Sequence, residues 1–62
     1  MDTRLLCIEV MRFVERNHPC KVPTHKIYSE LNIDRRSCQR QIKFLVECGY
    51  LQRFPDYKVG LK

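Results

Sequence analysis

Only three residues, Asn32, Ile33 and Asp34, separate two segments of the chain that both read as amphipathic helices. A connection that short makes the two helices direct neighbours in space. The first is expected at about 24–31, with Thr24 as N-cap, Ile27 and Leu31 on one face and Tyr28 beside them. Asn32 closes it, because Asn tolerates the left-handed conformation of a helix C-terminus. Asp34 is a good N-cap for the second, expected at about 35–48 and stopped by Gly49. Cys38, Ile42 and Leu45 form its inward stripe, and Arg35, Arg36, Gln39, Arg40 and Lys43 fall on the opposite side.

The segments on either side are bounded as sharply. Residues 3–17 carry a polar stripe at Glu9, Arg12 and Arg16, extended by Glu15. Opposite it lies a wide apolar arc of Leu6, Val10, Phe13 and Val14, with Ile8 and Met11, which predicts a helix capped by Asp2 or Thr3. Asn17, Pro19 and Pro23 break it, with a very short strand expected at Lys21 and Val22. The tail reads as two short strands, "YLQRF" and "YKVGL", around Pro55 and Asp56. In the second, Tyr57, Val59 and Leu61 alternate with Lys58, Gly60 and Lys62, so a hairpin with a basic solvent edge is expected over 50–61. The sum is one α+β domain spanning residues 1–62.

The chain has 62 residues and a net charge of +5. Its placement matters more than its size. Residues 1–34 balance five cations against five anions, whereas residues 35–62 hold seven cations against Glu47 and Asp56. The whole excess lies in the second half, which points to a face for a polyanion. One detail sharpens this. Arg35 and Arg36 occupy the positive end of their own helix, where each cation costs about 0.3–1 kcal/mol in an exposed site. On a polyanion, that helix end and both guanidiniums face an opposite charge.

The four cysteines fall at 7, 20, 38 and 48, with no C-x-x-C pair, so neither a zinc site nor any other cofactor is expected. Cys7 and Cys38 read as small buried hydrophobes. The charges in residues 1–16 fit neither a secretory core nor a membrane span, so a cytoplasmic protein with free thiols is expected. There is no Gly-rich phosphate loop, carboxylate pair or nucleophile–base spacing, so neither an enzyme nor a small-molecule substrate is expected.

Helix, break, helix, three-residue turn, helix, hairpin is the winged helix-turn-helix order. Residues 22–51, "VPTHKIYSELNIDRRSCQRQIKFLVECGYL", resemble the helix-turn-helix of bacterial winged-helix transcriptional regulators of the isocitrate-lyase-regulator and MarR-like kind. Ile27, Leu31, Ile33, Leu45, Gly49, Tyr50 and Leu51 occupy the matching places. Cys38 stands where Val is frequent. Gln41 stands where Leu or Ile is usual, which implies looser packing or a place at the helix edge. The resemblance implies a bacterial cytoplasmic regulator, and the size suits a phage-type one; its third helix is expected to enter the major groove of double-stranded DNA while the hairpin, the wing, touches backbone or minor groove. It also allows a homodimer on a two-fold site.

The chemistry of the residues agrees. Arg pairs bidentately with guanine and Gln with adenine, so Arg35, Arg36, Ser37, Gln39, Arg40 and Lys43 are the candidate base-reading set. Arg53, Lys58 and Lys62 suit phosphates, which position without specifying. Thr24, His25 and Lys26 are candidates to reach phosphate through free amides at the start of the second helix. Each has a plainer reading. Helix cations are commonly just solvated, and edge-strand lysines block aggregation. Tyr50, Phe54 and Tyr57 are expected as core or wing support, and Phe44 as a contact with the wing or a second copy. The competing function is a protein-interaction module that does not touch DNA.

Overall fold

The computed structural model describes residues 3–62, with the side chain of Thr3 not described. The elements are α1 (Thr3–Asn17), β1 (Val22–Pro23), α2 (Thr24–Glu30), α3 (Arg35–Glu47), β2 (Leu51–Phe54) and β3 (Lys58–Leu61). They form an α+β domain of three helices and one three-stranded antiparallel sheet in the order β1-β3-β2. The very short strand expected at Lys21 and Val22 is found one residue later, at Val22–Pro23, and joins the hairpin as a third strand. β1 pairs Val22 with Val59 and Pro23 with Lys58. Pro23 has no N–H to give a ladder, and its place on the edge strand β1 suits that.

Every element sends at least one side chain into a single core. Val10, Phe13 and Val14 come from α1, Val22 from β1 and Ile27 from α2. Cys38, Ile42 and Leu45 come from α3, Leu51 from β2 and Val59 from β3. The predicted α1 arc is narrower in fact, since Ile8 is 48% exposed. Asp2 and the Thr3 side chain, the expected α1 caps, lie outside the described residues. At its other end the Asn17 side-chain amide donates to the Phe13 carbonyl at 2.8 Å.

The two later helices end alike. In α2 the N–H of Asn32, at φ 55, donates to Ser29 O, and the N–H of Ile33 donates to Tyr28 O at 3.1 Å. In α3 the N–H of Gly49, at φ 86, donates to Val46 O, and the N–H of Tyr50 donates to Leu45 O at 3.0 Å. Both are Schellman closures, which satisfy the last carbonyls and turn the chain sharply. α3 also begins as its sequence predicts: the Ser37 N–H donates to Asp34 Oδ2 at 2.9 Å.

Three expectations are corrected. Thr24 is not the cap of α2; Pro23 holds that position without a side-chain cap. Thr24 is instead the first helical residue and is buried, and its N–H donates to Tyr57 O at 2.9 Å. A long-range carbonyl thus satisfies the first N–H of α2, while no side chain caps the N–H groups that a Thr24 hydroxyl was expected to reach. Gln41 is buried rather than at the helix edge, and among the described residues no buried side-chain polar atom lacks a partner. Tyr57 is not in a strand. β3 begins at Lys58, and the chain reverses through Asp56 at φ 65 and Tyr57 at φ 58. Consecutive positive φ values suit the twist of an antiparallel hairpin. Among the described residues, no helix is long and apolar enough to cross a membrane.

Candidate nucleic-acid interface

The outer face of α3 follows from its buried stripe. With Cys38, Ile42 and Leu45 inside, 3.6 residues per turn put Arg36, Arg40 and Lys43 at the centre of the opposite face. Arg35, Arg36, Arg40 and Lys43 are exposed, and Ser37 and Gln39 are half-buried. Among the described residues, these four cations form no ion pair.

The six candidate base readers do not share one surface. Gln39, on one flank of α3, lines a cleft with Thr24, Arg53, Phe54, Asp56, Tyr57 and Lys58. The fold therefore brings α3, the start of α2 and the tip of the β2–β3 hairpin together around Gln39, and places Arg53 and Lys58 beside it. Arg40, one residue further round the helix, also lines an apolar depression with Arg4, Cys7, Ile8, Gln41 and Phe44. Ser37 sits at the α2–α3 turn with Leu31, Asn32, Ile33 and Asp34.

The residues assigned to phosphate divide as well. The amide of Thr24 is occupied by Tyr57 O, so contact through a free amide fails at that residue. His25 and Lys26 are exposed on α2 but do not line the cleft. Lys62 lies at the open end of the hairpin, its N–H donating to Tyr50 O at 3.2 Å, remote from the tip. Phe44 is 53% exposed and faces α1 rather than the hairpin.

The aromatic residues differ most from expectation. Tyr50 is 58% exposed and Tyr57 84% exposed, so neither supports the core. Phe54 does support the hairpin. Its ring lies over Gly60, where a Cβ would stand 3.0 Å from Cε2, and the Lys21 ammonium is 4.6 Å from the ring centroid. Alternation by two cannot reveal this, because it does not show where a strand stops and a turn begins.

Local electrostatics centre on Asp34. Hydrogen bonds from the Ser37 side chain and backbone hold its carboxyl below the ordinary carboxylate range. The anion stands directly before Arg35 and Arg36 and faces the positive end of α3. Burial, with a lesser contribution from the Asp34 charge, pushes the Cys38 thiol up to about 11. Burial and then the neighbouring Cys48 push Cys7 up as well. All four cysteines are free. Against known proteins, no family model, curated protein or solved structure matches this chain.

Proposed function

We propose that this chain is a small winged helix-turn-helix protein that binds specific double-stranded DNA and regulates transcription, with α3 in the major groove and the β2–β3 hairpin as the wing. One observation carries the reading. The cations of α3, which form no ion pair among the described residues, include Arg36 and Lys43 at helical spacing from Gln39, and Gln39 shares a cleft with Arg53 and Lys58 of the hairpin. Side chains able to read bases and side chains able to hold phosphates are thus presented together. The Arg35 and Arg36 charges, unfavourable for the free helix, are favourable against a polyanion.

Selection of bound duplexes from a random pool tests this. A defined sequence is expected to emerge, and Arg36→Ala is expected to weaken binding to it by about 1–3 kcal/mol while leaving the melting temperature nearly unchanged. Recovery of no preferred sequence, or an Arg36→Ala variant that binds as tightly as the wild type, removes α3 as the reading head. A second reading, a protein-interaction module, is favoured by the apolar depression at Cys7, Ile8 and Phe44. Its signature is binding that salt barely affects.

A further inference from the structure

Five large apolar side chains are exposed among the described residues, and three of them belong to helices: Leu5 and Ile8 of α1 and Phe44 of α3. The three gather at one place. Ile8 and Phe44 line the depression between α1 and α3, and Leu5 lies one helical turn before Ile8. Each is about half exposed to water, so core packing does not account for them. Apolar side chains gathered under a polar rim mark an interaction surface, whereas single scattered ones do not.

The walls limit the form of the occupant. Both are helices, whose backbone amides and carbonyls point along the helix axis rather than outward. They offer no ladder to an extended strand. An occupant must satisfy its own backbone, and an amphipathic helix laid into the groove does so. The rim sets the charge. Arg4 of α1 and Arg40 of α3 line the depression, and among the described residues no carboxylate lines it. A second copy seated face to face would set these arginines against themselves, because a two-fold contact joins the same patch on both copies. An acidic partner meets them with opposite charge. The groove spans about one turn of each helix, from Arg4 to Ile8 and from Arg40 to Phe44, so the contact is small and belongs with transient partners. We propose that the α1–α3 depression docks an acidic amphipathic helix of a partner protein, its apolar anchors on Ile8 and Phe44 and its carboxylates on Arg4 and Arg40. Arg40 also stands on the exposed face of α3, so the docked helix withdraws it from DNA and the two ligands compete. The docking stands on the depression alone; the competition rests on the DNA-binding reading above.

A displayed library of short helical peptides tests this. Selection on the folded protein is expected to enrich sequences with apolar residues at helical spacing and a net negative charge. A synthetic peptide of the enriched sequence is expected to shield Cys7 from maleimide and leave Cys20 reactive, since Cys7 lines the depression and Cys20 does not. Phe44→Ser and Ile8→Ser are each expected to weaken that peptide about tenfold or more, and Arg40→Ala several-fold. Should either serine variant fail to fold, the shielding of Cys7 in the wild type decides. The peptide is expected to displace the selected duplex. Its own affinity should fall only a few-fold between about 50 and about 200 mM salt, because its anchors are apolar. The proposal is overturned if no peptide is enriched, if the enriched ones are neutral or basic, if Cys7 stays as reactive as in the free protein, or if peptide and duplex bind together. A dimer in sedimentation that Phe44→Ser dissociates also overturns it, and gives the face to a second copy. If the pool of duplexes yields no preferred sequence, the DNA-binding reading falls and the peptide selection still decides the docking.

Discussion

Arg40 and Gln39 are adjacent in sequence and belong to one candidate reading set, yet they face different neighbours. Gln39 looks toward the hairpin tip, and Arg40 toward α1. Helical periodicity assigns both to the outer face; it cannot say which flank the hairpin will occupy. The same limit applies to the thiols. Spacing marks Cys38 as inward, and the structure adds a thiol pushed up to about 11 by burial. Maleimide labelling of the folded protein at pH 8, followed by mass spectrometry, is therefore expected to modify the exposed Cys20 and Cys48 first. Cys7 should react more slowly and Cys38 only after denaturant is added. Prompt native labelling of Cys38 would contradict the buried position given to it.

The boundaries of the helices were the most legible elements, because their chemistry is local. Asp34 caps α3 and Gly49 closes it through interactions that span a few residues. The start of α2 is not legible locally, because the partner of its first N–H, the Tyr57 carbonyl, is 33 residues away in sequence. β1 escaped full description for the same reason. Two residues acquire strand geometry only by pairing with β3. The Asp34 cap carries a pH prediction. Its carboxyl is depressed in the folded state, so its stabilisation is complete above the unfolded carboxylate value and is lost as pH falls through the lower, folded value. Asp34→Ala should lower the melting temperature at neutral pH. Asp34→Asn, an equally good cap, should keep it and reduce the additional loss seen on acidification. Thermal melts followed by circular dichroism at pH 7 and pH 3 separate the two; an Asp34→Asn protein as acid-sensitive as the wild type would assign that sensitivity elsewhere.

At the scale of the whole molecule, charge asymmetry was legible from composition, and the fold converts it into geometry. The cations of residues 35–62 are divided between α3 and the β2–β3 hairpin, which flank a common cleft. Binding through about 5–8 phosphate contacts should lose orders of magnitude in affinity between about 50 and about 200 mM salt. Lys58→Ala should reduce the salt slope by about one contact. Titration of the selected duplex across that range checks both, and a flat response would favour the protein-interaction reading instead. The order of the sheet bears on a different matter, the time course of folding. Its central strand, β3, is the one written last, and it pairs with β1 across the whole helical region between them. Loop closure over so long a span is entropically costly and slow compared with forming local helices. The sheet is therefore expected to close after the helices, and the Thr24–Tyr57 hydrogen bond at the hairpin tip with it. Stopped-flow helix signals are expected to precede protection of the Thr24 amide from hydrogen exchange, and simultaneous appearance of the two would mean that helices and sheet form in one step.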